Sequence, residues 1–111
     1  MPADDVVTAL RGLREPAVTA GGANLVVGFG PDLWAEIAPE GARPAAFRPF
    51  TGVSGVEGLA APATPHDLWV WIHGTGEDVV LDVARAVADT LDKVAVVAVD
   101  QPGFVYRDSR D

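Results

Sequence analysis

The sequence contains no cysteine and only two histidines, His66 and His73. The absence of cysteine excludes disulfide frameworks, thiolate nucleophiles and cysteine-based zinc or iron–sulfur sites. With two histidines, a metal held by the protein would also need carboxylate ligands. Basic residues are scarce as well, since 8 Lys and Arg stand against 16 Asp and Glu, which gives a net charge of −8. This balance disfavours nucleic acid and anionic membrane surfaces as partners, because both repel a negative protein.

Long apolar runs are also missing. The longest one, Val94 to Val99, is far shorter than the roughly 18 residues that a membrane-spanning helix needs. The segment Met1 to Asp5 is acidic where a signal peptide would be basic, and no apolar segment follows it. We therefore expect no membrane association and a cytoplasmic location. At 111 residues and 49% hydrophobic composition, the chain has the size and composition of one globular domain.

The hydrophobic pattern predicts three helices and three strands in an α+β order. The predicted elements are a helix at Asp4–Arg14, a strand at Asn24–Phe29, a helix from Pro31, a strand at Asp67–His73, a helix at Glu77–Asp92 and a strand at Lys93–Val99. A further extended piece begins at Phe104–Tyr106. Residues 39–66 are rich in Pro, Gly and Ala, and are expected to form a long ordered loop anchored by Phe47 and Phe50.

Two of these elements show clear faces. In the strand Asp67–His73, alternation places Trp69, Trp71 and His73 on one face and the aliphatic residues on the other. The helix that follows has one apolar stripe, formed by Val79, Val80, Val83, Ala84, Val87 and Leu91. Thr75 and Asp78 resemble a capping box at its start. The tryptophans and Tyr106 could relay electrons, but packing is the more common role of aromatic residues on strands.

Two short segments match known binding or catalytic motifs only in part. Gly28-Phe29-Gly30 resembles a dinucleotide-binding turn, but Leu33 replaces its third glycine and Pro31 lacks the N–H that would donate to a phosphate. His73-Gly74-Thr75-Gly76 resembles the oxyanion segment of an α/β-hydrolase. Its candidate nucleophile, in Gly52-Val53-Ser54-Gly55-Val56, has Val56 where the closing glycine belongs. An ordinary strand-to-helix turn is favoured in both places, and a hydrolase fragment stays a less favoured alternative.

Four segments, in order along the chain, resemble the dye-decolorising peroxidases, and most closely their class B-like branch. These segments are Val27–Trp34, Phe47–Phe50, Ala63–Trp69 and Gly103–Asp111. The resemblance covers residues 24–111 and implies two ferredoxin-like α+β halves, with haem b held mainly by the second. It also implies that the complete protein reduces hydrogen peroxide while oxidising dyes, phenolics or similar aromatic donors, and that it is a homo-oligomer.

The residues that perform this chemistry in the family are not among these 111. In the family, a Gly-x-x-Asp-Gly motif follows the closing segment, with an arginine and a proximal histidine further on. Neither His66 nor His73 matches that ligand. We expect residues 1–111 to be a partial N-terminal ferredoxin-like domain of βαββαβ type with an antiparallel sheet, lacking its first strand. It would contain no catalytic, cofactor-binding or metal-binding residue, and the fragment alone would bind no haem and be inactive. The alternative is a cofactor-free ferredoxin-like binding or oligomerisation module.

Overall fold

The computed structural model describes residues 3–14 and 23–105. The helices of these ranges are α1 (Ala3–Arg11), α2 (Pro31–Ile37) and α3 (Glu77–Leu91). The strands are β1 (Ala23–Phe29), β2 (Val53–Ser54), β3 (Ala60–Ala61) and β4 (Leu68–Gly74), and a short 3₁₀ turn occupies Val56–Gly58. Among these described residues, no helix has the length and apolar character needed to cross a membrane.

The main sheet consists of β1 and β4, which pair antiparallel along seven residues. Phe29 lies opposite Leu68 at one end and Ala23 lies opposite Gly74 at the other. Side chains of a strand alternate between the two faces. One face therefore carries the aliphatic residues of β4 toward α3, and the other carries its two tryptophans and His73. The predicted alternation of this strand is confirmed.

The core lies between α3 and the helix-facing side of this sheet. Its buried cluster contains Ala23 from β1 and Val83, Val87 and Leu91 from α3. The last three recur every four residues, so one stripe of the helix meets the sheet as predicted. Residues that pack around this cluster while partly exposed are Ala9, Leu10, Leu13, Leu25, Leu68, Val70, Ile72, Val79, Val94 and Ala95.

The end of β1 is tied to the start of β4 through Gly30. Its backbone N–H donates a hydrogen bond of 2.8 Å to the carbonyl oxygen of Asp67. A Cβ atom at this position would overlap the carbonyl oxygen of His66. The φ of Gly30 is −70°, which any residue adopts, so the glycine is required for space and not for its dihedral freedom. Pro31 then begins α2, as the sequence predicts.

The predicted strand at Lys93–Val99 is wrong. After α3 the backbone N–H groups of Val94 and Ala95 both donate to the carbonyl of Leu91, which closes the helix end. The chain beyond them pairs with no strand of the described ranges, and Val96, Val97 and Val99 are 92%, 66% and 67% exposed. Valine favours strands only where a neighbouring strand offers hydrogen bonds and packing. The valine-rich composition of Lys93–Val99 was therefore not enough to predict a strand. Of the extended piece predicted at 104–106, Tyr106 lies outside the described residues.

The long loop over residues 39–66 contains more regular structure than expected. β2 and β3 form a two-residue antiparallel hairpin, in which Val53 lies opposite Ala61 and Ser54 opposite Ala60. The expected anchors behave differently, because Phe47 is half-buried whereas Phe50 is 57% exposed. The loop is therefore anchored on one phenylalanine, and the prediction for Phe50 is wrong.

The start of α3 also differs from expectation. Its N-cap residue is Gly76, and no side chain of the described part of the chain forms a capping hydrogen bond there. Thr75 thus lies one residue outside the helix, and Asp78 is the second helical residue and not the third, where a capping box needs its acidic member. The capping-box interpretation is wrong, although Glu77 and Asp78 still place negative charge in the first turn, where the helix dipole favours it.

Candidate functional site

The most distinctive surface is the side of β4 that faces away from the core. Here Trp69, Trp71 and His73 form what we call the aromatic face. The two indoles are stacked, with ring centroids 5.9 Å apart and planes 20° apart, and the imidazole of His73 lies 4.7 Å from the ring of Trp71. Trp69 and Trp71 are 59% and 50% exposed. The tryptophans therefore pack mainly on each other, and the apolar surface they present is accessible.

The neighbouring strand leaves room for these rings. Trp69 lies opposite Gly28, and a Cβ atom on this glycine would come within 3.3 Å of the indole. Trp71 lies opposite Val26 and His73 opposite Asn24. Gly28 thus accommodates Trp69, just as Gly30 accommodates the carbonyl of His66. Packing explains both glycines of the motif that resembles a dinucleotide-binding turn.

A second aromatic cluster lies where α2 meets the long loop. The rings of Phe29 and Trp34 are 5.2 Å apart and tilted by 50°. Together with Ala42, Pro44 and Phe47 they line an open apolar pocket. The indole N–H of Trp34 is buried and has no hydrogen-bond partner among the residues that the structure describes. Sequence patterns gave no sign of this pocket, because its residues come from three separate segments.

Replacing Trp34 with phenylalanine tests that unpaired N–H. The substitution keeps a ring beside Phe29 but removes the buried donor, whose desolvation costs about 1–3 kcal/mol. The lost apolar area acts in the opposite direction, so we expect the free energy of unfolding to change by less than about 1 kcal/mol. Urea denaturation measures this. Trp34→Leu, which also removes the ring contact, should lose clearly more, and equal losses in the two variants would contradict the interpretation.

The residues of the two partial catalytic motifs lie in different parts of the fold. Ser54 belongs to the β2–β3 hairpin and His73 to the main sheet. No hydrogen bond joins them in the described ranges, so the structure does not assemble the pair that a hydrolase would use. His66 lies in the exposed loop before β4. Within residues 3–14 and 23–105, no three His, Asp or Glu side chains are grouped closely enough to hold a metal ion.

Comparison with known proteins decides the family. The family model described as Dyp-type peroxidase, N-terminal, matches residues 10–105. The chain belongs to the Dyp-type peroxidase family. A dye-decolorizing peroxidase of Rhodococcus erythropolis is 36% identical over 110 residues, which cover 96% of this chain and 32% of that protein. The chain therefore spans about a third of the length of this relative.

Solved structures agree on the fold of this Dyp-type chain. DyPB of Rhodococcus jostii superposes with a TM-score of 0.75 and 32% identity, over 98% of this chain and 35% of that one. A Bacteroides thetaiotaomicron dye-decolorizing peroxidase gives a TM-score of 0.74 and 26% identity, covering 98% and 37%. A variant of the R. jostii protein in complex with haem has a TM-score of 0.74 and 30% identity, covering 98% and 35%. The ferredoxin-like α+β fold expected from the sequence is confirmed.

The described residues of this Dyp-type chain do not fit a haem. Haem in peroxidases needs an axial ligand, commonly histidine, and an enclosing pocket. His66 and His73 are both exposed. The described residues that line the groove between α1 and β1 are aliphatic apart from Phe29, and those that line the Trp34 pocket include no side chain that could ligate iron. No chemical step is therefore assigned to the described residues.

Proposed function

We propose that this chain is the N-terminal part of a haem-dependent peroxidase that reduces hydrogen peroxide while oxidising dyes, phenolics or similar aromatic donors. The match of residues 10–105 to the N-terminal family model carries the proposal. The haem complex of a structural neighbour supports haem, of the b type that the sequence resemblance implies, as the cofactor of the complete protein. A cytoplasmic location and homo-oligomerisation of the complete protein stay predictions.

In this proposal residues 1–111 serve as scaffold and contain none of the catalytic or haem-ligating residues. Two observations support this role. Neither exposed histidine lines the two apolar grooves, and in the described part no three His, Asp or Glu side chains are grouped closely enough to hold a metal ion. The remaining polypeptide of the peroxidase would then contain the iron ligand and the groups that act on peroxide.

Titration of the purified chain with haemin tests the scaffold role. We expect no Soret band with one-to-one stoichiometry, and a rate of dye oxidation with hydrogen peroxide no higher than that of the same haemin in buffer. His66→Ala and His73→Ala are the matched controls. A stoichiometric Soret band that disappears in either variant would overturn the proposal, because it would identify an axial ligand within this chain.

The cofactor-free module is the alternative that the same titration distinguishes. A polypeptide extended to the full length of the relatives should bind haemin and oxidise a dye if the proposal is correct. Failure of that longer polypeptide to bind haemin would favour a cofactor-free role. An increase in ester hydrolysis on addition of the chain, abolished by Ser54→Ala, would instead favour the hydrolase.

A further inference from the structure

Residues 39–47, which follow α2, are folded on themselves. They form two successive turns, Pro39–Ala42 and Pro44–Phe47, and in each the N–H of the fourth residue donates to the carbonyl oxygen of the first at 3.1 Å. Within the described ranges, no backbone hydrogen bond joins these residues to another segment. Among residues 39–50 only Phe47 is not exposed. The two turns are therefore held against α2 mainly by one side chain.

Arg43 stabilises the second of these turns. Its Nε and Nη2 atoms both donate to the carbonyl oxygen of Phe47, at 3.2 and 2.7 Å. Hydrogen bonds from a charged donor are stronger than those from a neutral one, and the planar guanidinium fixes their geometry. Without this contact the detached turn would adopt many more conformations, which would favour detachment. Arg43 thus positions Phe47 without itself touching α2.

Two opposing effects decide how firmly Phe47 is held. Its ring loses contact with water in the pocket that it lines with Phe29 and Trp34, which favours attachment. The indole N–H of Trp34 is buried with no partner in the described residues, and a buried donor without an acceptor costs free energy that hydration would remove. One half-buried ring is thus opposed by one unpaired donor, so the attached state is favoured by a small margin.

We propose that residues 39–47 are a lid, which opens as one unit when Phe47 detaches and controls the access of water and solutes to Trp34. Three of the described residues that line the Trp34 pocket belong to this lid, namely Ala42, Pro44 and Phe47. Opening the lid therefore removes one wall of the pocket. The contacts that close it are made by residues of this chain, so the inference does not rest on the proposed peroxidase function.

Hydrogen exchange of the Trp34 indole N–H, followed by NMR, measures the opening. The resonance is assigned by its absence in Trp34→Phe, and the backbone amide of Val87 in the buried cluster reports global unfolding. Because the lid opens while the core stays folded, the indole N–H should be protected at least about 10-fold less than the Val87 amide. Equal protection of the two protons would overturn the proposal, since Trp34 would then be reached only when the whole chain unfolds.

Substitution of Arg43 tests what holds the lid closed. Arg43→Ala should speed exchange of the Trp34 indole about 3- to 10-fold, the effect of losing a hydrogen bond of ordinary net strength, and should leave Val87 unchanged. Arg43→Lys, which donates through a single nitrogen, should give an intermediate rate. Arg48→Ala is the matched control, because it removes an equal charge from an exposed position next to Phe47. Similar acceleration in Arg48→Ala, or none in Arg43→Ala, would contradict the proposal.

Acrylamide quenching of fluorescence gives a second measurement. The chain has three tryptophans, so Trp69→Phe combined with Trp71→Phe leaves Trp34 as the only one, and circular dichroism checks that this variant folds. Adding Arg43→Ala should increase the quenching constant. The same comparison in a polypeptide extended to the full length of the relatives should show the same increase, because the contacts are local. Its loss there would overturn the lid, since residues 39–47 would then be held closed in the complete protein.

Discussion

Leu91→Ala is expected to lower the free energy of unfolding by about 2–4 kcal/mol, the range for removing a buried leucine side chain. Leu91 is 8% exposed and ends the α3 stripe, where it packs with Val87 and Ala23. Alanine would leave a cavity within this cluster, which the residues packed around it can fill only in part. Urea denaturation monitored by circular dichroism gives the difference.

Leu81→Ala is the matched control for this prediction. Leu81 lies on the same helix and is 50% exposed, so the same substitution should cost less than about 1 kcal/mol. Both variants carry the same Leu→Ala change on the same helix, and burial is the largest difference between the two positions. Similar losses at both positions would show that the α3 stripe does not form the core.

Gly30→Ala should destabilise the chain by about 1–3 kcal/mol, as overpacking does at close contacts. The added methyl group would overlap the carbonyl oxygen of His66, and the backbone would have to move away from it. That movement also weakens the hydrogen bond from the N–H of Gly30 to Asp67. Thermal or urea unfolding measures the loss of stability. Faster hydrogen exchange of the amide proton at position 30 in the variant than in the natural chain would report the weakened hydrogen bond.

Gly103→Ala separates this steric effect from the general effect of replacing glycine. No atom of residues 3–14 or 23–105 lies within 4 Å of a Cβ atom at Gly103, so alanine should be neutral there or slightly stabilising. If Gly30→Ala were as harmless as Gly103→Ala, the close crossing of residues 30 and 66 would not exist in solution.

Elements whose stability comes from their own pattern could be predicted from the sequence. The stripe of α3 and the alternation of β4 each place apolar residues on one side, and both are confirmed. The segment Lys93–Val99 has the composition of a strand, but a strand also needs a neighbour, which no local pattern reveals. The β2–β3 hairpin could not be predicted from the sequence, because two-residue strands are too short to show any periodicity.

Among the features of the candidate site, those on a single strand could likewise be predicted from the sequence, and those built from distant segments could not. The aromatic face could be predicted, because Trp69, Trp71 and His73 alternate along one strand. The Trp34 pocket could not, since it forms only when the loop that contains Phe47 folds back on α2. The crossing at Gly30 depends on a contact between backbone atoms of distant residues, which leaves no trace in side-chain chemistry. The resemblance to the family could be seen in four ordered segments of the sequence and does not depend on any of these contacts.

The register of the main sheet also governs how fast the chain can fold. Each β1–β4 pair joins residues about 40 to 50 positions apart. The entropy of closing this long loop must therefore be lost before the first pair of residues can form hydrogen bonds. The β2–β3 hairpin lies inside that loop and closes over only five residues, Gly55 to Leu59. Forming it early would shorten the free chain that remains to be ordered. Substitutions in the hairpin should therefore slow folding more than they speed unfolding, although they lie far from the core.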